Sequence, residues 1–527
     1  MASAPAPTSV LQRVGPPSPD GTGPAPDRSA GRGRGAGRGR DRSGGRLWPW
    51  VAVVVAAAVL LRLPLLGSPL SRDEAGYLMV ASQLGPGSSV YGGYWVDRPP
   101  LLLAVFAVAD RLGGAEALRA TGLLVVAAAV VAAAVLGATA AAAPGRVRAG
   151  VLCAATAGVF LVTPLFGTTE VNGELVAAPF VLSGVALLLR AVRAGATPGR
   201  PGLLAAAGVA GAAAVLVKQN QWDVVVALAA LVLAGRWSHA PGRLRPRDAV
   251  PFLGGAAATG AAALAGAAAT GTTPAELWDA AVVFRVEAAA VVASSASDAT
   301  GDRLVDLGEA FLRSGAPLVL LLLVAPLRRR PAPGALDLRA AAAAVLAWES
   351  VAVLGGASYW PPYLICSVTG LTMATAVVQG GARGVGRAWA AGLVPIAWAV
   401  VACLLALAAA VAHPPARPQD DVVAWLRAHT APGDDALVAY GHPDVLHGAG
   451  LHSPYPDLWS LPVRVHDPRL ADLAALLSGP AAPDWVVLTG PSLRTWGIDA
   501  RAGTRALEEH YVEEAVVGRY TVLHHAG

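Results

Sequence analysis

Apolar residues run in long blocks along most of this chain, separated by short polar stretches. Eleven blocks approach the roughly 20 residues that carry a helix across a bilayer. They cover 47–67, 117–141, 149–167, 174–192, 202–217, 222–235, 249–270, 312–327, 338–355, 361–379 and 389–412. The fifth and sixth are short and read as a tight or tilted pair. A further apolar stretch starts at Pro99-Pro100 and reaches only to about Arg111. Proline suits the first turn of a helix, so this stretch predicts a short helix along the membrane interface. The pattern changes after residue 412. DDVVAWLRAHT, RLADLAALLSG and ARAGTRALEEHY read as helices, while ALVAYG, DWVVLTG and AVVGRYTVLHH each read as a strand. Their alternation over 413–527 predicts a small α/β domain. Residues 1–46 are Pro, Gly, Ala, Ser and Arg without apolar periodicity, so they are expected to be disordered.

Composition narrows the class. Of 527 residues, 55% are hydrophobic and 14% charged, with a mean hydropathy of +0.53. Soluble domains carry about 25% charged residues, so the chain reads as an α-helical polytopic membrane protein. The three cysteines, Cys153, Cys366 and Cys403, all lie in apolar blocks, neither paired in a loop nor spaced as metal ligands, which argues against a disulfide framework or a cysteine zinc site. Lys218 is the single lysine among 40 basic residues. Arginine in place of lysine, with abundant Ala, Gly and Pro, is the usage of a GC-rich genome such as that of an actinobacterium. The run Gly31–Arg40 resembles a nucleic-acid-binding RGG segment. A basic tail that fixes topology is the preferred reading, with no nucleic-acid partner.

Arginine placement orients the apolar blocks. The N-terminal tail, Arg146/Arg148, Arg190/Arg193/Arg200, Arg236–Arg247, Arg328–Arg339 and Arg383/Arg387 all fall on one side, the cytoplasmic one. Eleven spans then put the C-terminal domain outside the cytoplasmic membrane. The loops on the outer side, 68–116, 168–173, 218–221, 271–311 and 356–360, hold Asp73, Glu74, Asp97, Glu170, Glu174 at the membrane edge, Lys218 and Tyr359. The chemically suggestive residues thus gather on one face, although only arginines set the orientation.

The stretch Ser71–Pro100 carries most of the candidate chemistry. Ser71-Arg72-Asp73-Glu74 fits a helix capping box, which accounts for Glu74 and in part for Asp73. Capping does not account for Tyr91, Tyr94 and Trp95 beside a second carboxylate and an arginine, Asp97-Arg98. Lys218 stands at a span end, where either snorkelling or phosphate binding explains it. Glu170 and Glu174 would share a helix face, and carboxylates near a bilayer are costly and often functional. The loop 271–311 is long enough to cover a site, but no one residue in it stands out. His442, His447 and His452 read as exposed loop residues in preference to zinc ligands.

Asp73-Glu74-Ala75-x-Tyr77 after a first membrane helix resembles the GT-C membrane glycosyltransferases. So does Asp97-Arg98-Pro99-Pro100-Leu101 some twenty residues later. The likeness is greatest to the bacterial protein-mannosyltransferase-like and aminoarabinose-transferase-like group. Asn172-Gly173-Glu174, Val217-Lys218-Gln219, Ser358–Tyr363 and the C-terminal DDVVAWLRAHTAPGDDALVAYG are similar to that group too.

The resemblance implies a GT-C-like membrane domain over 47–412. It also implies transfer of a sugar from a polyprenyl-phosphate to an acceptor hydroxyl of a protein, lipid or glycan on the outer face. Asp73 would be the base that takes the hydroxyl proton, and Glu74 would orient it or bind substrate. Arg98 would offset the charge of the departing phosphate, with Lys218 as a second cation. Asp97, Tyr94, Glu170, Asn172, Glu174 and Tyr359 are substrate-binding candidates. The metal is left unassigned; Asp97 would either hold Arg98 or help bind a divalent cation. Two other classes compete: a transporter or lipid flippase, and a non-catalytic membrane protein whose outer domain binds a partner. Against the first, the carboxylates lie at span edges and no internal repeat is visible.

Overall fold

The computed structural model describes residues 47–237, 242–294, 298–356, 358–381 and 385–526. The N-terminal tail expected to be disordered lies outside them.

All eleven apolar blocks are helical. In chain order the helices are α1 (Leu47–Arg62), α2 (Arg72–Ser82), α3 (Pro100–Arg111), α4 (Ala115–Ala140), α5 (Arg146–Phe160) and α6 (Gly173–Ala194). Next come α7 (Arg200–Val217), α8 (Asp223–Arg236), α9 (Ala249–Ala269), α10 (Pro274–Trp278), α11 (Phe284–Ser294) and α12 (Asp298–Arg313). The bundle closes with α13 (Ala316–Leu327), α14 (Arg339–Leu354), α15 (Val368–Gly381) and α16 (Val385–Ala412). Among the described residues, seven helices are long and apolar enough to cross a membrane, or eight if α12 and α13, bent by 65°, count as one broken span. Three expected spans, α5, α8 and α14, have only 15, 14 and 16 residues. At 1.5 Å per residue such helices fall short of a hydrocarbon core about 30 Å thick.

Small residues let the bundle helices approach closely. Gly208 of α7 lies against the Phe252 carbonyl of α9, and Gly255 of α9 against the Ala205 carbonyl of α7, with no room for a Cβ at either. The loop 271–311 is not irregular: α10 runs through one π-helical turn, Asp279–Val283, into α11, and α12 follows. The short helix expected from Pro100 is α3. Its Leu102, Leu103 and Phe106 are fully buried, so it packs into the protein as well as lying beside the membrane domain.

The C-terminal segment contains α17 (Gln419–His429), β1 (Ala436–Ala439), α18 (Pro443–Ala449), α19 (Ser460–His466), α20 (Ala471–Leu477), β2 (Trp485–Leu488), α21 (Arg501–His510), β3 (Tyr511–Val517) and β4 (Tyr520–His525). The sheet order is β1-β2-β4-β3, with β1 and β2 parallel and the other pairs antiparallel. The single strand expected over AVVGRYTVLHH is thus the end of one strand and the whole of the next. Gly518, at φ +60°, opens the turn between them, a conformation that costs glycine little.

This α/β segment does not stand apart from the bundle. Tyr77 and Leu78 of α2, Phe106 of α3, Val422 of α17, Leu446 of α18 and Tyr520 of β4 belong to one buried apolar cluster. The first two short helices and the sheet therefore share a core.

Candidate active site

The capping box forms as the sequence predicts. Ser71 Oγ accepts from the Glu74 amide at 3.2 Å, and Glu74 Oε2 accepts from the Ser71 amide at 2.9 Å. Glu74 does more than cap. It is 1% exposed and paired with the buried Arg119 of α4, which also donates to the Ser68 and Pro69 carbonyls at 3.2 and 3.1 Å. Its Oε1 accepts from the Val171 amide at 2.7 Å. With both oxygens bound by protein donors, Glu74 ties the start of α2 to α4 and to the loop before α6.

Asp73, one residue earlier, points elsewhere. Its Oδ2 accepts from the Tyr77 hydroxyl at 3.3 Å, one turn along α2. Its Oδ1 accepts from the Trp459 indole at 3.0 Å, a contact from the C-terminal segment. Tyr77 links this carboxylate to the second half of the loop, because its hydroxyl accepts from Arg98 Nε at 2.7 Å. Burial pushes the Tyr77 phenol well above its usual range, so it stays protonated and can donate to Asp73 while accepting from Arg98.

Arg98 Nη1 pairs with Asp97 Oδ1 at 2.6 Å, and Arg285 of α11 pairs with Asp97 Oδ2. Gln219 Nε2 donates to the Asp97 carbonyl at 2.9 Å. Burial pushes the Asp97 carboxyl up, but Arg285, Arg98 and Lys218 together hold it below its usual range. Lys218, at the end of α7, pairs with Glu174 at 2.9 Å and lies 5.8 Å from the Tyr363 ring centroid. Three cations, Arg98, Lys218 and Arg285, thus surround two carboxylates. Both Asp97 oxygens are taken by arginines, and among the described residues no three His, Cys, Asp or Glu side chains gather as metal ligands. Around Asp97 the described residues therefore do not fit a metal centre.

Glu170 lies on the Asp73 side. Burial and the nearby charges of Asp73, Glu74 and Glu174 push its carboxyl up to about 8, against a hydrogen bond from Ser71. Arg62, inside the first span by sequence, holds the same loop through the Thr168 carbonyl at 2.5 Å. Asn172 caps α6, its side chain accepting from the Leu175 amide at 2.9 Å.

Two candidates lie away from this network. The Tyr94 hydroxyl accepts from the Ser453 amide at 3.0 Å, which makes it a seam residue between the loop and the C-terminal segment. Tyr359 sits at φ +53° before the turn that starts at Pro361, and Tyr363 is the tyrosine that reaches Lys218. The three histidines do not converge: His442 pairs with Asp444 and His452 with Asp435, each at 3.4 Å.

Sequence reasoning did not single out Arg119, Arg285, Trp459 or Tyr363, or give Tyr77 a role. Tyr77 had a usable signal, since i and i+4 share a helix face. Arg285 and Trp459 had none, being 188 and 386 residues from their partners.

No family model and no curated protein matches the chain. Solved structures do. ArnT from Cupriavidus metallidurans, in its apo state and bound to undecaprenyl phosphate, matches with a TM-score of 0.58 at 14% identity, over 90% of this chain and 98% of ArnT. The archaeal oligosaccharyltransferase AglB from Archaeoglobus fulgidus, in complex with an inhibitory peptide and a dolichol-phosphate, matches with a TM-score of 0.52 at 12% identity. That match covers 89% of this chain and 74% of AglB. This chain has the GT-C fold. In this GT-C protein the likeness reaches into the C-terminal segment, and the network around Asp73 and Arg98 lies where that segment meets the bundle.

Proposed function

We propose that this chain is a membrane glycosyltransferase that moves a sugar from a polyprenyl-phosphate donor to an acceptor hydroxyl on the outer face of the cytoplasmic membrane. One observation carries the reading: the Tyr77 hydroxyl joins a carboxylate, Asp73, to an arginine, Arg98, that stands among further cations. Sugar transfer from a lipid phosphate needs a proton acceptor and a charge acceptor at fixed separation, and this is such a pair. The GT-C fold adds support, as does the binding of undecaprenyl phosphate by ArnT and of a dolichol-phosphate by AglB.

In this reading the acceptor hydroxyl loses its proton to Asp73 as its oxygen attacks the anomeric carbon. The bond from that carbon to the phosphate oxygen breaks with inversion, and the polyprenyl phosphate leaves with the electron pair. Arg98, Lys218 and Arg285 meet the developing negative charge. An arginine presents a fork to two phosphate oxygens, whereas Lys218 offers a compact charge. Glu74 acts as a positioning residue. Glu170, held largely protonated near neutral pH, offers a hydrogen-bond donor to sugar or acceptor. The acceptor is a protein, lipid or glycan hydroxyl. The N-terminus is cytoplasmic and the C-terminal domain extracytoplasmic.

The test is transfer by proteoliposomes supplied with labelled polyprenyl-phosphate sugars. Wild type transfers, while Asp73→Asn and Arg98→Ala lose at least 100-fold. Undiminished transfer by Asp73→Asn removes the base assignment. Reporter fusions at residues 145 and 420 should report opposite sides of the membrane.

A further inference from the structure

Trp459 reaches Asp73 from a separate part of the chain, and α2 is shaped to receive it. Gly76, on the same helix, packs directly under the indole. A Cβ there would collide with indole carbons Cζ2 and Cη2 and with the Pro443 ring. The indole also lies 5.5 Å, centroid to centroid, from the Tyr77 ring. Glycine in a helix interior is unfavourable, and close approach of another group is a reason to keep one.

A carboxylate held on one side only can rotate about its last bond. Asp73 is held on both: Tyr77 donates to Oδ2 and Trp459 to Oδ1. The indole N–H is a donor and never an acceptor, so Asp73 Oδ1 is the accepting side of this contact. The two donors fix the plane of the carboxylate and direct its remaining lone pairs toward one region of space.

We propose that Trp459 is a positioning residue for Asp73, so that the C-terminal α/β domain completes the site, with Gly76 as the notch that admits it. This rests on the glycosyltransferase reading of Asp73. It extends that reading to a division of labour: the outer loop after α1 supplies the base, and the C-terminal domain sets its orientation. The same seam is held by the Trp95 amide donating to the Pro456 carbonyl at 3.0 Å and by Arg417 donating to the Leu70 carbonyl at 3.3 Å.

The test uses the full chain in nanodiscs. Trp459→Phe keeps an aromatic side chain but removes the indole N–H together with part of the ring volume over Gly76. It should lower kcat 10- to 100-fold with the donor KM within twofold. Gly76→Ala, which favours the isolated helix, should lower kcat similarly, and the double variant should do no worse than the lower single one. Arg417→Gln, which loosens the seam away from Asp73, should retain wild-type kcat. Wild-type kcat in Trp459→Phe overturns the proposal, and so does an equal loss in Arg417→Gln, which would make the seam merely structural. A second readout needs no turnover. The indole ¹H–¹⁵N resonance that Trp459→Phe deletes should move in Asp73→Asn; an unmoved resonance overturns the proposal even if wild type transfers no sugar, an outcome that would sink the glycosyltransferase reading separately.

Discussion

The Tyr77 hydroxyl accepts a 2.7 Å hydrogen bond from Arg98 Nε, while its proton is directed to Asp73 at 3.3 Å. The two halves of the loop between α1 and α3 are therefore coupled through one phenol. Tyr77→Phe keeps the ring, which packs edge-on against Phe106 at 5.2 Å, and removes the coupling. A buried guanidinium then loses an acceptor, a loss of about 1–3 kcal/mol. The expected outcome is a kcat lower by about 10- to 100-fold and a lowered melting temperature, read by transfer kinetics and thermal unfolding.

Arg285 is a cation that nothing in the sequence sets apart from the rest of its loop. It reaches Asp97 from α11 and is 38% exposed, so it can turn toward a ligand without a large desolvation change. Arg285→Ala should raise the donor KM on the order of tenfold, because one charge-assisted contact to a phosphate is lost. Arg285→Lys should recover part of it, since the charge returns without the fork. Titration of transfer rate against donor concentration distinguishes the two.

Glu74 and Arg119 should behave as a structural pair. Both are buried, and removal of one partner leaves the other charge without compensation, at a cost of about 3–5 kcal/mol. Glu74→Gln and Arg119→Met should each lower the melting temperature strongly, and the double variant less than the sum of the two. Thermal unfolding in detergent measures all three.

Glu170 gives the fold a pH dependence of defined sign. Its carboxyl titrates near 8 in the folded chain and near its ordinary 4.5 when unfolded. Below 4.5 both states carry the proton and the fold is unpenalised. Between 4.5 and 8 the folded state binds more protons, so stability falls as pH rises, by up to about 1.4 kcal/mol per pH unit. Wild type should therefore lose stability across that window more steeply than Glu170→Gln. Parallel melting curves for the two from pH 4.5 to 8 would contradict the raised carboxyl.

The local features of the site were legible in the sequence because they depend on near neighbours. The capping box at Ser71–Glu74 and the helix begun by Pro100 each involve residues within about one turn of one another, whereas Asn172, read as a substrate contact, caps α6. Pairing across the chain was not legible. Glu74 reads as half of a capping box, yet beyond the Ser71 amide it is held by Arg119 and the Val171 amide. Tyr94 reads as a substrate contact, yet it receives the Ser453 amide. Tyr359 reads as a substrate contact, yet Tyr363 is the tyrosine that faces Lys218.

By itself the sequence determined which segments are helices, that many are apolar enough for a membrane, and that the C-terminus turns to alternating helix and strand. Hydrophobic period and terminal chemistry are local, so they act wherever the chain goes. Only the tertiary structure decided that Asp73, Tyr77 and Arg98 form one network, that Arg285 and Lys218 join it, and that Trp459 meets Asp73 across 386 residues of chain. Those contacts follow from how the helices and the sheet bury a shared core, and packing of that kind is set by shape in three dimensions, which no spacing along the chain encodes.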